Sequence, residues 1–324
     1  ITRQLLTHWY DKETTRPYEF YFCQIEAIET LIWHVEATPE FKQGIAISGD
    51  GGEWERLCNK MATGSGKTTV MSMIITWQVL NAITYPKRHK DFSKAVFIVA
   101  PGLTVKERLQ ILMPGHPQNY YDDFSLCPNE VLRQKLNQAE ILIENWHSLM
   151  PQKEPERSVV KKGKESDEAY VRRVLGSLAN HKNIVIINDE AHHAYRKPAE
   201  VKISKKDAEE FGIDLDEATR WVEGLDRIHN ARGIIRCFDL SATPFAPTGK
   251  KTTERIIVNK PNGNANVCPK LTSLCAVLIN ASICSLVNVV VFSGVKLPDL
   301  SIIFNTLFLS SADNCEYLAC KLSA

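Results

Sequence analysis

Short apolar runs rich in β-branched residues recur along the first 250 positions: 95–100 (AVFIVA), 139–143 (AEILI), 184–188 (IVIIN) and 234–240 (IIRCFDL). Their length suits strands, and their largely apolar character suits a sheet covered on both faces. Helical spacing fills the stretches 24–35, 67–83, 105–112 and 216–229. A further short strand fits 56–61. Strands alternating with helices predict an α/β domain over residues 1–250, its parallel sheet covered by helices on both faces. The segment 151–177 is dense in both charge signs and reads as a solvated insertion whose second half is helical.

The pattern changes near residue 250. Only seven of the 77 Asp, Glu, Lys and Arg residues fall in the last 65 positions, and five of the nine Cys fall there too. Positions 271–295 carry no charge. That is long enough for a membrane span, but Asn280, Asn288 and several Ser interrupt it, and no clean amphipathic period runs through it. We rank a poorly defined or non-native tail first for 251–324, buried strands second and a membrane span third.

Composition narrows the class. Apolar residues are 44% and charged residues 24% of the 324, an ordinary globular balance. A formal charge of +1 excludes a globally basic nucleic-acid binder and leaves a local basic groove open. The Cys are too sparse for a disulfide framework and form no C-x-x-C pair, so a reducing, cytoplasmic setting is expected. The chain starts at Ile1 with no signal-like apolar segment, as expected of one that begins inside or just after a native N-terminus.

Candidate chemistry sits at two places. Met61-Ala62-Thr63-Gly64-Ser65-Gly66-Lys67-Thr68 fits G-x-x-x-x-G-K-[ST] except at its first position, where Met replaces Gly. Gly64 and Gly66 permit a backbone whose N–H groups turn toward phosphate oxygens, at the positive end of the helix beginning near Lys67. Lys67 supplies charge to the terminal phosphates, and the Thr68 hydroxyl suits Mg²⁺. The second place is the strand ending in Asp189-Glu190-Ala191-His192-His193. Two adjacent carboxylates repel each other unless a divalent metal and a lysine stand nearby. Asp189 can then hold Mg²⁺ through water while Glu190 activates an attacking water. Zinc at His192 and His193 is disfavoured, because no further His or Cys lies at ligand spacing.

Together, GSGKT at 64–68, DEAH at 189–192 and Ser241-Ala242-Thr243 resemble the first motor domain of superfamily 2 helicases and translocases. The nearest resemblance is to the restriction (Res) subunits of type III restriction enzymes and related DEAD/DEAH-box proteins. It extends over about 1–247 and includes RPYEFYFCQI at 16–25, MATGSGKT at 61–68 and CFDLSATPF at 237–245. It implies a RecA-like P-loop NTPase fold that uses ATP and Mg²⁺. It further implies that Gln24 reads adenine and that Pro101, Gly102 and Thr104 touch a nucleic-acid backbone. By the same resemblance, His192 bonds toward Ser241 and Thr243 and couples hydrolysis to movement. Asn145-Trp146-His147 occupies a similar loop, where a buried Trp146 anchor is equally admissible.

The implied partners are double-stranded DNA, a second RecA-like domain and a modification subunit, with no membrane. Such motors need arginines from the second domain. Nothing after residue 247 reads as one, and Arg255 is the last Arg. The expectation is therefore weak ATP binding and slow hydrolysis, with neither translocation nor DNA cleavage by this chain alone. A degenerate nucleotide-binding module is the alternative. A small-molecule P-loop kinase is disfavoured, since it needs neither a DEAH box nor a SAT strand.

Overall fold

A computed structural model describes residues 1–44, 52–151, 165–194, 215–242 and 256–257. The chain divides into two compact units. The first comprises Ile1–Ile32 and Ala46–Asn259. Of the second, Trp33–Ile45 with Lys260–Ala324, residues 33–44 are described; they hold a helix end and the 3-10 turn Pro39–Lys42. The low-charge stretch at 271–295 lies outside the described residues.

The first unit is built on a parallel sheet. Its strands are β1 (Glu55–Lys60), β2 (Ala95–Ala100), β3 (Glu140–Asn145), β4 (Ile184–Asp189), β5 (Ile234–Ser241) and the two-residue β6 (Ile256–Ile257). The order is β3-β2-β4-β5-β1-β6, with every pairing parallel. β2 and β4 are buried at all six positions, as their continuous apolar sequences require. At the sheet edge, β3 is mostly half-buried and carries Glu at 140 and 144.

Helices cover both faces. α1 (Thr2–Tyr10) and α2 (Phe22–Glu36) precede the sheet, and α3 (Lys67–Thr84) joins β1 to β2. α4 (Leu103–Arg108), α5 (Tyr120–Asp123) and α6 (Glu130–Leu136) lie between β2 and β3. α7 (Asp167–Leu175) precedes β4, and α8 (Leu215–Arg232) precedes β5. α3 is buried from Thr69 to Asn81 on every side. Its Trp77 meets Phe92 edge-on at 5.8 Å and Phe238 at 6.0 Å between ring centroids. A separate hydrophobic cluster joins β2, β4 and β5 to α7 and α8, with Trp146 and Trp221 stacked 6.4 Å apart. Trp146 is thus a buried anchor.

Three sequence expectations need adjustment. The helix expected over 105–112 starts at Leu103, and its second half tightens to a 3-10 turn at Leu109–Leu112. α1 has no counterpart in the apolar pattern; Leu5 and Trp9 are buried, and Trp9 Nε1 donates to the Leu126 carbonyl at 2.9 Å. The charge-dense segment does end in a helix, but α7 sinks Tyr170, Val171, Val174 and Leu175 into the core. Residues 152–164 of that segment lie outside the described residues.

Candidate nucleotide site

All five full strands point their carboxyl ends the same way, so the loops after β1 and β4 open on one edge of the sheet. One strand, β5, separates them. At about 4.8 Å per strand spacing, the strand ends stand roughly 10 Å apart, a gap that side chains from both loops can bridge.

The β1–α3 loop is the first wall. Met61 is buried, so the residue that departs from the phosphate-loop pattern roots the loop in the core. Its N–H donates to the Ser241 carbonyl at 3.0 Å, tying the loop to the end of β5. Thr63 and Gly64 are exposed, and Ser65, Gly66, Lys67 and Thr68 are half-buried. Gly64 and Gly66 have φ of 79° and 81°, the left-handed region that side chains disfavour. A Cβ on Gly66 would stand 2.0 Å from Gln24 Nε2. Gln24 is buried and braces this loop: Nε2 donates to the Ser65 carbonyl at 3.1 Å, and Oε1 accepts from the Tyr21 N–H at 2.9 Å.

The end of β4 is the second wall. Lys67 Nζ lies 2.9 Å from Glu190 Oε1, so the two motifs meet. Glu190 holds φ 47° and ψ 50°, an uncommon conformation that turns the chain sharply into the 3-10 turn Ala191–His193. Its N–H donates to Asp189 Oδ1 at 3.0 Å. Asp189 is 9% exposed. Burial pushes its carboxyl up to about 6, and the Glu190 charge adds to the rise; Lys67, the Glu190 N–H and Arg108 oppose it.

These groups fit a magnesium–nucleotide ligand. Thr68 and Asp189 offer hard oxygen donors, and Asp189 is a buried anion that a divalent cation would relieve. Among the described residues no group of three or more His, Cys, Asp or Glu gathers, so a protein cage for a metal is not built there. A shared site using phosphate oxygens suits Mg²⁺ better.

Other expected residues are placed as follows. Pro101 and Gly102 are half-buried after β2, and Thr104 is exposed in the first turn of α4. Ser241 is buried at the end of β5. Of His192 only the backbone is described, and Thr243 lies outside the described residues. Sequence reasoning did not single out Arg56, Asn188, Arg108 or Asp239. A carboxylate inside a largely apolar strand run was the available signal for Asp239, whereas Arg56 stands among Glu55, Asn59 and Lys60 and carried none.

Comparison with known families agrees with this geometry. The family described as "Type III restriction enzyme, res subunit" matches residues 17–245. A search of curated proteins finds no match. The match spans more than half of the chain and takes in both walls of the site, and so the chain belongs to the type III restriction enzyme res-subunit family, with a RecA-like, helicase-like ATP-binding motor domain.

Proposed function

We propose that this chain binds ATP with Mg²⁺ between the β1–α3 loop and the end of β4, and hydrolyses it to drive movement on DNA in the complete protein. The observation that carries the reading is the 2.9 Å approach of Lys67 Nζ to Glu190 Oε1. It joins a phosphate-binding cation to a carboxylate suited to activating water.

The chain's residues divide the work. Backbone N–H groups of the 63–68 loop would cradle the phosphates, apart from that of Ser65, which donates to the Ala62 carbonyl, and Lys67 would offset their terminal charge. Thr68 directly, and Asp189 through water, would hold Mg²⁺, which would supply positive charge against that developing on the phosphates. Glu190, with Lys67 Nζ 2.9 Å from its Oε1, accepts the proton of the attacking water. Gln24 reads adenine while bracing the loop. His192, Ser241 and Thr243 link the phosphate end to β5, and the Met61–Ser241 backbone bond supports such a link. Pro101, Gly102 and Thr104 contact the nucleic-acid backbone without reading sequence. The motor domain takes in 1–250, and the pairing of β6 (Ile256–Ile257) with β1 carries its sheet a few residues further. A second RecA-like domain and a modification subunit complete the machine.

Steady-state hydrolysis of Mg·ATP by the full chain, with and without duplex DNA, tests this. Slow turnover is expected, with Lys67→Ala losing nucleotide binding or hydrolysis. Glu190→Gln should bind nucleotide normally and lose hydrolysis by about 10²–10⁴-fold. Normal hydrolysis by Glu190→Gln would sink the base assignment. Absence of nucleotide binding by the parent chain would favour a degenerate module.

A further inference from the structure

Behind the acidic turn lies a buried polar cluster that the mechanism above leaves unused. Arg56 of β1 and Asp239 of β5 are 1% and 0% exposed, with Nε 2.7 Å from Oδ2. Asn188 of β4 donates to Asp239 Oδ1 at 2.8 Å, and Trp221 of α8 donates to Asn188 Oδ1 at 3.3 Å. The register accounts for the convergence. Cys58 and Asn188 flank Asp239 on either side, and Arg56 stands one pleat behind Cys58 on the same sheet face.

One arm of the guanidinium goes elsewhere: Arg56 Nη2 donates to the Ala194 carbonyl. Ala194 closes the turn that begins at Glu190. Offsetting a buried Arg charge requires only the carboxylate; the planar fork lets the same residue grip a loop carbonyl as well. We propose that Arg56, oriented by Asp239, is a positioning residue that pins Ala194 and thereby holds Glu190 against Lys67. The turn is short and held at both ends, at Glu190 Oε1 by Lys67 and at the Ala194 carbonyl by Arg56. Between those ends, the His193 N–H donates to the Glu190 carbonyl at 3.1 Å and the Ala194 N–H to the Ala191 carbonyl at 2.9 Å. Glu190 keeps its left-handed backbone only while surrounding contacts over-determine it, and Arg56 supplies one of them. The catalytic part of the inference rests on Glu190 acting as the base.

The test compares the parent chain with R56M and with R56M/D239N. Single replacement strands a buried carboxylate and can unfold the chain. The double variant removes both charges while residue 239 still accepts from Asn188. Hydrogen–deuterium exchange and Mg·ATP turnover are measured on each folded protein. The double variant should exchange the 193 and 194 amides about tenfold faster or more, with the β4 and β5 amides still protected. Its kcat should fall by about tenfold or more with KM little changed. Unaltered exchange at 193 and 194 overturns the tether. So does a uniform loss of protection across β1, β4 and β5, which marks a merely structural pair. Faster exchange with intact kcat overturns the catalytic consequence. A parent chain without turnover would instead defeat the reading of Glu190, and exchange alone would then decide the tether.

Discussion

At the scale of single residues, burial sets the two most informative side chains. Asp189 has its carboxyl raised to about 6, above the unperturbed 3.8, first by desolvation and then by Glu190. Its contribution to stability is therefore present below about pH 4 and lost as pH rises through about 6. Magnesium needs the ionised form, so Mg·ATP affinity should climb as pH rises through about 6, and Asp189→Asn should weaken it and flatten the profile. Titration calorimetry between pH 5 and 8 reads this directly. On α2, burial pushes Glu26 from 4.5 to about 9, with Glu29 adding to the rise. Folding holds that proton, so stability falls as pH rises from the unfolded value through about 9. Glu26→Gln should raise stability at pH 8, a gain that fades near pH 5 in thermal melts. At Gly66, even Ala brings both a left-handed backbone penalty and a collision with Gln24, so shortening Gln24 relieves only the collision.

At the scale of elements, α3 matters most. It begins in the candidate phosphate cradle and runs through the interior, so its packing fixes where the cradle sits. Trp77 is fully buried against Phe92 and Phe238. Trp77→Ala should cost about 3–5 kcal/mol in denaturant unfolding and weaken nucleotide binding without touching the ligand. Elements were legible wherever burial was complete. The apolar run at 95–100 coincides with β2 because all six of its residues are buried. Edge strand β3 starts at Glu140, one residue later than its apolar run, and continues through Glu144 and Asn145, since one side is open to polar residues. α1 was illegible because only Leu5 and Trp9 of its nine residues are buried. Asn caps start α5 and α6: the Asn119 and Asn129 side chains accept from the Asp122 and Leu132 N–H groups. Four- and seven-residue helices leave too little periodicity to detect.

At the scale of the molecule, both walls of the site were visible in sequence because each is a contiguous motif. The Arg56–Asp239–Asn188 cluster was not, since its members come from three strands and meet only through the register. Ligand linkage gives the global test: at a hundredfold excess over its dissociation constant, Mg·ATP should stabilise the chain by about 2.7 kcal/mol, and Lys67→Ala should abolish that shift. The sheet order also carries a consequence for biosynthesis. β1 pairs with β5 and β6, both of which follow it by more than 170 residues, whereas β2, β3 and β4 can pair among themselves as they emerge. At ribosomal speeds of about 5–20 residues per second, the strand leading into the phosphate cradle waits roughly 10–30 s for its neighbour. Insertion of β5 then closes the gap between the two halves of the sheet, so a nascent chain halted before residue 234 should carry a folded β2–β4 layer and no nucleotide pocket.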